Sequence, residues 1–202
     1  MTPGPRGSGT DAAVEAGIHA GFALIATYAP TSSGSDPRPT PTPNPASIVR
    51  PDGSSVDAVI AALYESVSHG PEYEPSWARM RTLFLPAGRF IPPKRADAAT
   101  FTILDFDGFQ SFFMKATEAA KQRGDSPAFF EREVARTLDC FGNVCQAFST
   151  YESRHAPADP KPFARGINSI QLVNDGRRWW IASVAWDTER PDNTIPAQYD
   201  KK

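Results

Sequence analysis

The segment from Arg132 to Asp187 reads as four consecutive antiparallel strands, and its turns constrain the chain more than any other feature. Asp175-Gly176 is a two-residue hairpin signal, since Gly accepts the positive φ of the favoured turns. It predicts Leu172 opposite Trp179, Ile170 opposite Ile181 and Asn168 opposite Ser183. Gly142-Asn143 is a second such turn, setting Phe141 against Val144, Cys140 against Cys145, Leu138 against Ala147 and Arg136 against Ser149. The connection from His155 to Pro162 is longer and rich in Pro, Ala and Asp. If it closes symmetrically, Ser149 lies opposite Asn168 and Glu152 opposite Arg165, whereas a slip of one residue would exchange the faces.

Alternation then divides the side chains between two surfaces. The core face carries Val134, Leu138, Cys140, Cys145, Ala147, Tyr151, Ile170, Leu172, Trp179 and Ile181. Across its middle runs a polar row, Arg136, Ser149, Asn168 and Ser183, with Asp187 and Ser153 towards the rim. The outer face carries Glu133, Asp139, Gln146, Phe148, Thr150, Glu152, Arg165, Ile167, Ser169, Gln171, Trp180, Val184 and Trp186. It is too apolar for a solvated surface and too charged for a core, which predicts cover by a partner. Two readings of the polar row stay open. It is either a preformed site for an oxyanion, carboxylate or carbonyl, or an internal network in which Arg136 pairs with a carboxylate from a helix.

Upstream, three helices are predicted. The first starts near Ser54 or Ser55 and presents Val56, Val59, Ile60, Leu63 and Val67 before His69-Gly70. The second follows Ser76 and places Trp77, Met80 and Phe84 on one side. After an extended stretch around Arg89 to Pro93, the third runs from about Asp105 to Arg123 with Phe106, Phe109, Phe113, Ala116 and Ala120 at helical spacing.

A length of 202 residues with 40% hydrophobic side chains allows one substantial core. A net charge of −2 without a basic cluster argues against nucleic acid, and no apolar run is long enough to span a bilayer. Residues 1–50 differ in kind: an apolar run from Ile18 to Ala29 precedes a Pro/Thr/Ser-rich linker, so this segment reads as disordered or signal-like, and residues 191–202 as a tail. Export to the periplasm or medium and a cytoplasmic location both stay open. Cys140 and Cys145 could bridge across their hairpin, although buried free thiols are the simpler reading. His19, His69 and His155 lie far apart, so no metal site is expected, and no motif calls for a cofactor.

The order helix, short helix, strand, helix, four-strand meander resembles the nuclear transport factor two-like superfamily. The likeness is carried by Trp77-Ala-Arg-Met-Arg-Thr-Leu-Phe84, Phe141-Gly-Asn-Val144, Ser149-Thr-Tyr-Glu-Ser-Arg154, Arg165-Gly-Ile-Asn-Ser-Ile-Gln171 and Asp175-Gly-Arg-Arg-Trp-Trp-Ile181. It covers about Ser54 to Asp187 and is similar to SnoaL-like bacterial proteins. It implies an α+β fold over residues 51–190: a cone-shaped, curved antiparallel sheet closed by three N-terminal helices, as in cystatin-like folds. It implies catalysis less firmly. The carboxylate base of ketosteroid isomerase-like members would fall near Pro92, yet no Asp or Glu occurs from Leu85 to Ala96. The position of their hydrogen-bonding Tyr aligns with Leu63, one residue from Tyr64. The expected function is noncatalytic binding of a small, partly apolar, oxygen-bearing ligand by Arg136, Ser149, Tyr151, Asn168, Trp179, Ser183, Asp187 and Trp77. The expected assembly is a homodimer through the outer sheet face. The alternative is a cofactor-independent isomerase, dehydratase or cyclase with Asp187 or Tyr151 as acid or base. A titratable group deep in the cavity with a perturbed pKa would favour the enzyme.

Overall fold

The computed structural model describes residues 51–200; the signal-like segment and linker lie outside the described residues. Helix α1 (Val56–Val67) starts where the Ser55 side chain accepts a hydrogen bond from the Ala58 N–H at 3.0 Å. Helix α2 (Trp77–Arg81) is a single turn and a half that leads directly into strand β1 (Phe84–Ile91), so Phe84 belongs to the strand. Helix α3 (Phe106–Gln122) is capped by the Asp105 carboxylate on the Gly108 N–H. Four long strands follow: β2 (Phe130–Phe141), β3 (Val144–Arg154), β4 (Ala164–Asn174) and β5 (Trp179–Thr188).

The five strands form one mixed sheet in the order β1-β5-β4-β3-β2, antiparallel except for the parallel pairing of β1 with β5. One face carries the core. The aromatic stripe of α3 meets it there: Phe109 stacks on Phe90 with ring centroids 4.0 Å apart, and Trp186 meets Phe109 edge-on at 6.2 Å. Phe113, Tyr151, Ile170 and Ile181 are fully buried in the same cluster.

The predicted β2–β3 register holds at the tip, where Arg136 faces Ser149 and Cys140 faces Cys145, and β3–β4 pairs Ser149 with Asn168 and Glu152 with Arg165 as read from the sequence. Two bulges break the simple alternation. On β2, Val134 is the extra residue, and beyond it Glu133 faces Tyr151 and Glu131 faces Ser153, so both acids point to the core side. On β5, Ala182 is the extra residue, and the turn from β4 spans Asp175 to Arg178 rather than two residues. The Asp175 carboxylate closes this longer turn by accepting the Arg177 and Arg178 N–H groups. Leu172 therefore pairs with Ile181, Ile170 with Val184 and Asn168 with Trp186. Val184 and Trp186, expected outside, are core residues. Ser183 moves to the outer face opposite Gln171.

Cys140 and Cys145 are joined in a disulfide instead of standing as two free thiols. The pairing brings their Cα atoms to 4.1 Å, as a non-hydrogen-bonded antiparallel pair allows. Beyond β5, the chain turns back across the outer face. The Tyr199 ring packs on Phe148 at 5.0 Å, the Tyr199 carbonyl accepts the Thr150 hydroxyl, and Asp200 pairs with Arg165. No helix among the described residues is long and apolar enough to cross a membrane.

Candidate functional site

The polar row exists in altered form, between α1 and the edge strand β2. Ser149 and Asn168 stand on neighbouring strands, fully buried, with the Tyr64 ring of α1 above them. The Asn168 amide donates to the Tyr64 hydroxyl at 3.1 Å. Tyr64 and Ser149 oxygens lie 2.6 Å apart, and the Ser149 hydroxyl donates to Glu133 Oε1 at 2.5 Å. With the Ser149 proton committed to Glu133, the Tyr64 proton points to Ser149, and the chain of donors ends on one carboxylate. Arg136 closes it from the other side, forking onto Glu133 with Nε and Nη2 both at 2.9 Å while Nη1 reaches Asp57 of α1 at 2.8 Å. Arg136 thus pairs with a helix carboxylate and with Glu133, the second of the two arrangements the sequence left open.

Beside this chain lies Glu131, 5% exposed. Ser153 donates to its Oε2 at 3.0 Å, and Asn168 Nδ2 stands 3.5 Å from its Oε1. Burial pushes its carboxyl up to about 8, against the smaller opposing effect of these two donors. Burial, reinforced by Glu131, likewise raises Tyr64 far above the usual phenol range. Tyr151 is raised by burial first and by Glu131 second. Glu131 is therefore largely protonated at neutral pH, a titratable group at the base of the polar row.

Of these residues Tyr64, Glu131, Glu133 and Arg136 line a cleft of about 450 Å³, together with Asp57, Ala61 and Ser68 among others, while Ser149 and Asn168 lie buried behind it. Ser68 ties its two walls together, accepting the Glu131 N–H at 3.0 Å and donating to the Tyr64 carbonyl at 2.7 Å.

Of the side chains expected to bind ligand, Arg136, Ser149 and Asn168 are brought together here. Tyr151 is packed in the core beside them, its hydroxyl 3.3 Å from Thr188 Oγ1. It fits because Gly166 opposite has no side chain, whose Cβ would fall 2.5 Å from that hydroxyl. Trp77 packs edge-on against Phe113 at 5.4 Å, and Trp179 lies against the core near the β4–β5 turn. Neither lines the cleft. Ser183 and Asp187 sit on the opposite sheet face, where Asp187 is half exposed and pairs with Arg190 at 2.8 Å. Glu131, Glu133 and Tyr64 went unassigned to the site in the sequence. The first two are turned inward by the Val134 bulge, which no Gly or Pro marks, and Tyr64 lies one residue from Leu63, the position aligned with the hydrogen-bonding Tyr.

Among the described residues, no group of three His, Cys, Asp or Glu side chains could hold a metal ion. His69 is hydrogen-bonded to the Gly70 carbonyl and His155 stacks on Phe163 at 4.2 Å; His19 lies outside the described residues.

No protein-family model and no curated protein sequence matches the chain. Solved structures do. A candidate calcium/calmodulin-dependent protein kinase type II association domain from Thiobacillus denitrificans superposes with a TM-score of 0.50 at 9% identity, over 70% of this chain and 100% of that one. A cystatin-like protein of unknown function from Nostoc punctiforme gives 0.48 at 9% identity, over 67% and 90%. A nuclear transport factor two-like protein of unknown function from Shewanella baltica gives 0.42 at 13% identity, over 66% and 90%. Together with the order of elements, the first of these defines the class: the chain has the α+β, nuclear transport factor two-like fold.

Proposed function

We propose that this domain is a noncatalytic small-molecule-binding cone that holds its ligand in the cleft between α1 and β2. The observation that carries the reading is the cleft of about 450 Å³ itself, whose wall residues Tyr64, Glu133 and Arg136 are held in place from behind by Ser149 and Asn168 before any ligand arrives. The test is a thermal-shift screen of neutral, anionic and cationic ring compounds against the wild type and Ala61→Trp. Ala61 is an exposed α1 residue at the cleft wall, so the indole fills the cleft without entering the core. Stabilisation of the wild type that the variant loses is expected. Stabilisation retained in the variant, or none with any compound, overturns the reading.

One observation favours a second reading. A carboxyl near 8 in a cleft is poised to exchange protons at neutral pH, as a cofactor-independent isomerase, dehydratase or cyclase requires. Solvent-deuterium exchange into ketone or lactone probes, lost in Glu131→Gln, would support it over simple binding.

We infer in addition a homodimer through the remaining outer face, where Trp180 stays partly exposed beside Arg178. The Cys140–Cys145 disulfide fits an oxidising compartment and so supports export.

A further inference from the structure

We propose that the returning C-terminal segment and the outer sheet face enclose a second small-molecule site, suited to a neutral, largely apolar ring compound. It is separate from the α1–β2 cleft and lies on the opposite face of the sheet. A hollow forms there because of which side chains share that face. Ser169 and Ala185 are paired across β4 and β5, and Phe148 on β3 stands opposite Ser169, so two small side chains lie beside a large ring. Ile167, the next outward-facing residue of β4, bounds the hollow along the strand. The segment beyond β5 brings Ile195, Pro196 and Tyr199 to it, and a cleft of about 360 Å³ is left between segment and sheet. That volume is within the range of small-molecule sites.

Both ends of the segment are held by one guanidinium. Arg165 donates to Glu189, directly after β5, at 3.1 Å, and pairs with Asp200 at the far end. The Glu189 N–H bonds back to the Arg165 carbonyl at 2.8 Å, and the Ile195 N–H donates to Glu189 Oε1 at 3.1 Å. With the Tyr199 ring resting on Phe148, the segment is a closed loop over the sheet, and the cleft lies inside it. A guest there touches sheet and segment at once, so its binding and the seating of the segment reinforce each other.

The lining sets the class of guest. Its charged side chains are Asp187 and Glu189, and each already has an arginine: Arg190 stands 2.8 Å from Asp187, and Arg165 3.1 Å from Glu189. No arginine, lysine or histidine lines the cleft, so an anion would meet two carboxylates and no cation. A cation would have to share a carboxylate with the arginine already on it. Neutral apolar surface meets Phe148, Ile167, Ala185 and Ile195 without either cost. Ser169 adds one polar contact, since its hydroxyl makes no hydrogen bond among the described residues and is open to an oxygen or N–H of the guest.

The experiment titrates the full chain by calorimetry near neutral pH with 2-naphthol, 2-naphthoate and 2-naphthylmethylamine, which share a ring system and differ in charge. Amide hydrogen exchange locates the bound compound. 2-Naphthol should bind at least about tenfold tighter than either charged analogue and slow exchange in residues 189–200 and in β4 and β5. Ser169→Phe fills the hollow, and Ile195→Asp puts a charge on the segment without touching the sheet; each should weaken binding by about tenfold or more. Should Ser169→Phe fail to fold, Ile195→Asp decides the matter. Ala61→Trp, which blocks the other cleft, should bind 2-naphthol as the wild type does. Binding lost in Ala61→Trp and kept in Ile195→Asp, with exchange slowed in α1 and β2 instead, would place the compound in the α1–β2 cleft and overturn this site. Equal affinity for a charged analogue, lost in Ile195→Asp, would overturn the neutral class. Binding by none of the three would overturn the proposal. Compounds screened in the Ile195→Asp background report on the α1–β2 cleft alone, so the two sites stand or fall separately.

Discussion

Glu131 holds its proton more tightly in the folded chain than in the unfolded one, because burial disfavours the carboxylate more than Ser153 and Asn168 favour it. For an acid raised in this way, stability is fully present below the unfolded value of 4.5 and is lost as pH rises towards about 8. Asp175 and Asp52, lowered by hydrogen bonds from Trp180 and Arg79, act in the opposite sense and matter only below the unfolded carboxylate range. Urea unfolding at about pH 5 and about pH 9 should therefore show the wild type losing on the order of 4 kcal/mol that Glu131→Gln does not lose. Parallel curves for the two proteins would mean that the carboxyl titrates normally and that the cleft floor is wet.

At the scale of elements, the two bulges decide which face each acid and each tryptophan joins. The Ala182 bulge was not expected: Trp179 and Ile181 alternate in one phase and Trp180, Val184 and Trp186 in the other, and the second apolar phase was equally consistent with an outer face covered by a partner. The two-residue turn expected at Asp175-Gly176 gives way to one in which the Asp175 side chain satisfies two further N–H groups. The Val134 bulge is likewise unmarked in the sequence. Glu131-Arg132-Glu133 alternates equally well in either phase, so the acid that dominates the site could not be placed, whereas Ser149 and Asn168, on unbulged β3 and β4, were placed opposite each other correctly. The Gly142-Asn143 turn, the start of α1 at Ser55 and the α3 aromatic stripe are local chemistry, which is why they were readable. The same scale governs the disulfide. Since Gly142-Asn143 already holds the β2–β3 tip together, replacing both cysteines with serine should cost no more than about 2 kcal/mol in denaturant titration and leave the cleft intact. Loss of folding would show that the hairpin depends on the bond.

For the molecule as a whole, the outer sheet face is shared between the returning C-terminal segment and exposed side chains. Phe148 lies under Tyr199, whereas the tip beyond it carries Phe141, 91% exposed, and Val144. We propose that Trp180 belongs to the part that a second copy covers, so Trp180→Glu should yield monomer by light scattering with the fold preserved in circular dichroism. A dimer of unchanged mass would move the contact elsewhere, with the hydrophobic tip as the next surface to test. The parallel pairing of Phe84 with Ile181 has a consequence in the order of synthesis. The strand that seats β1 is made after every other strand of the sheet, so Phe84 and Phe90 can meet Phe106 and Phe109 of α3 long before their β5 partners exist. A nascent chain halted anywhere before β5 would leave the pairing edge of β1 open to whatever holds unfinished proteins apart, and the sheet could close only once β5 has been made.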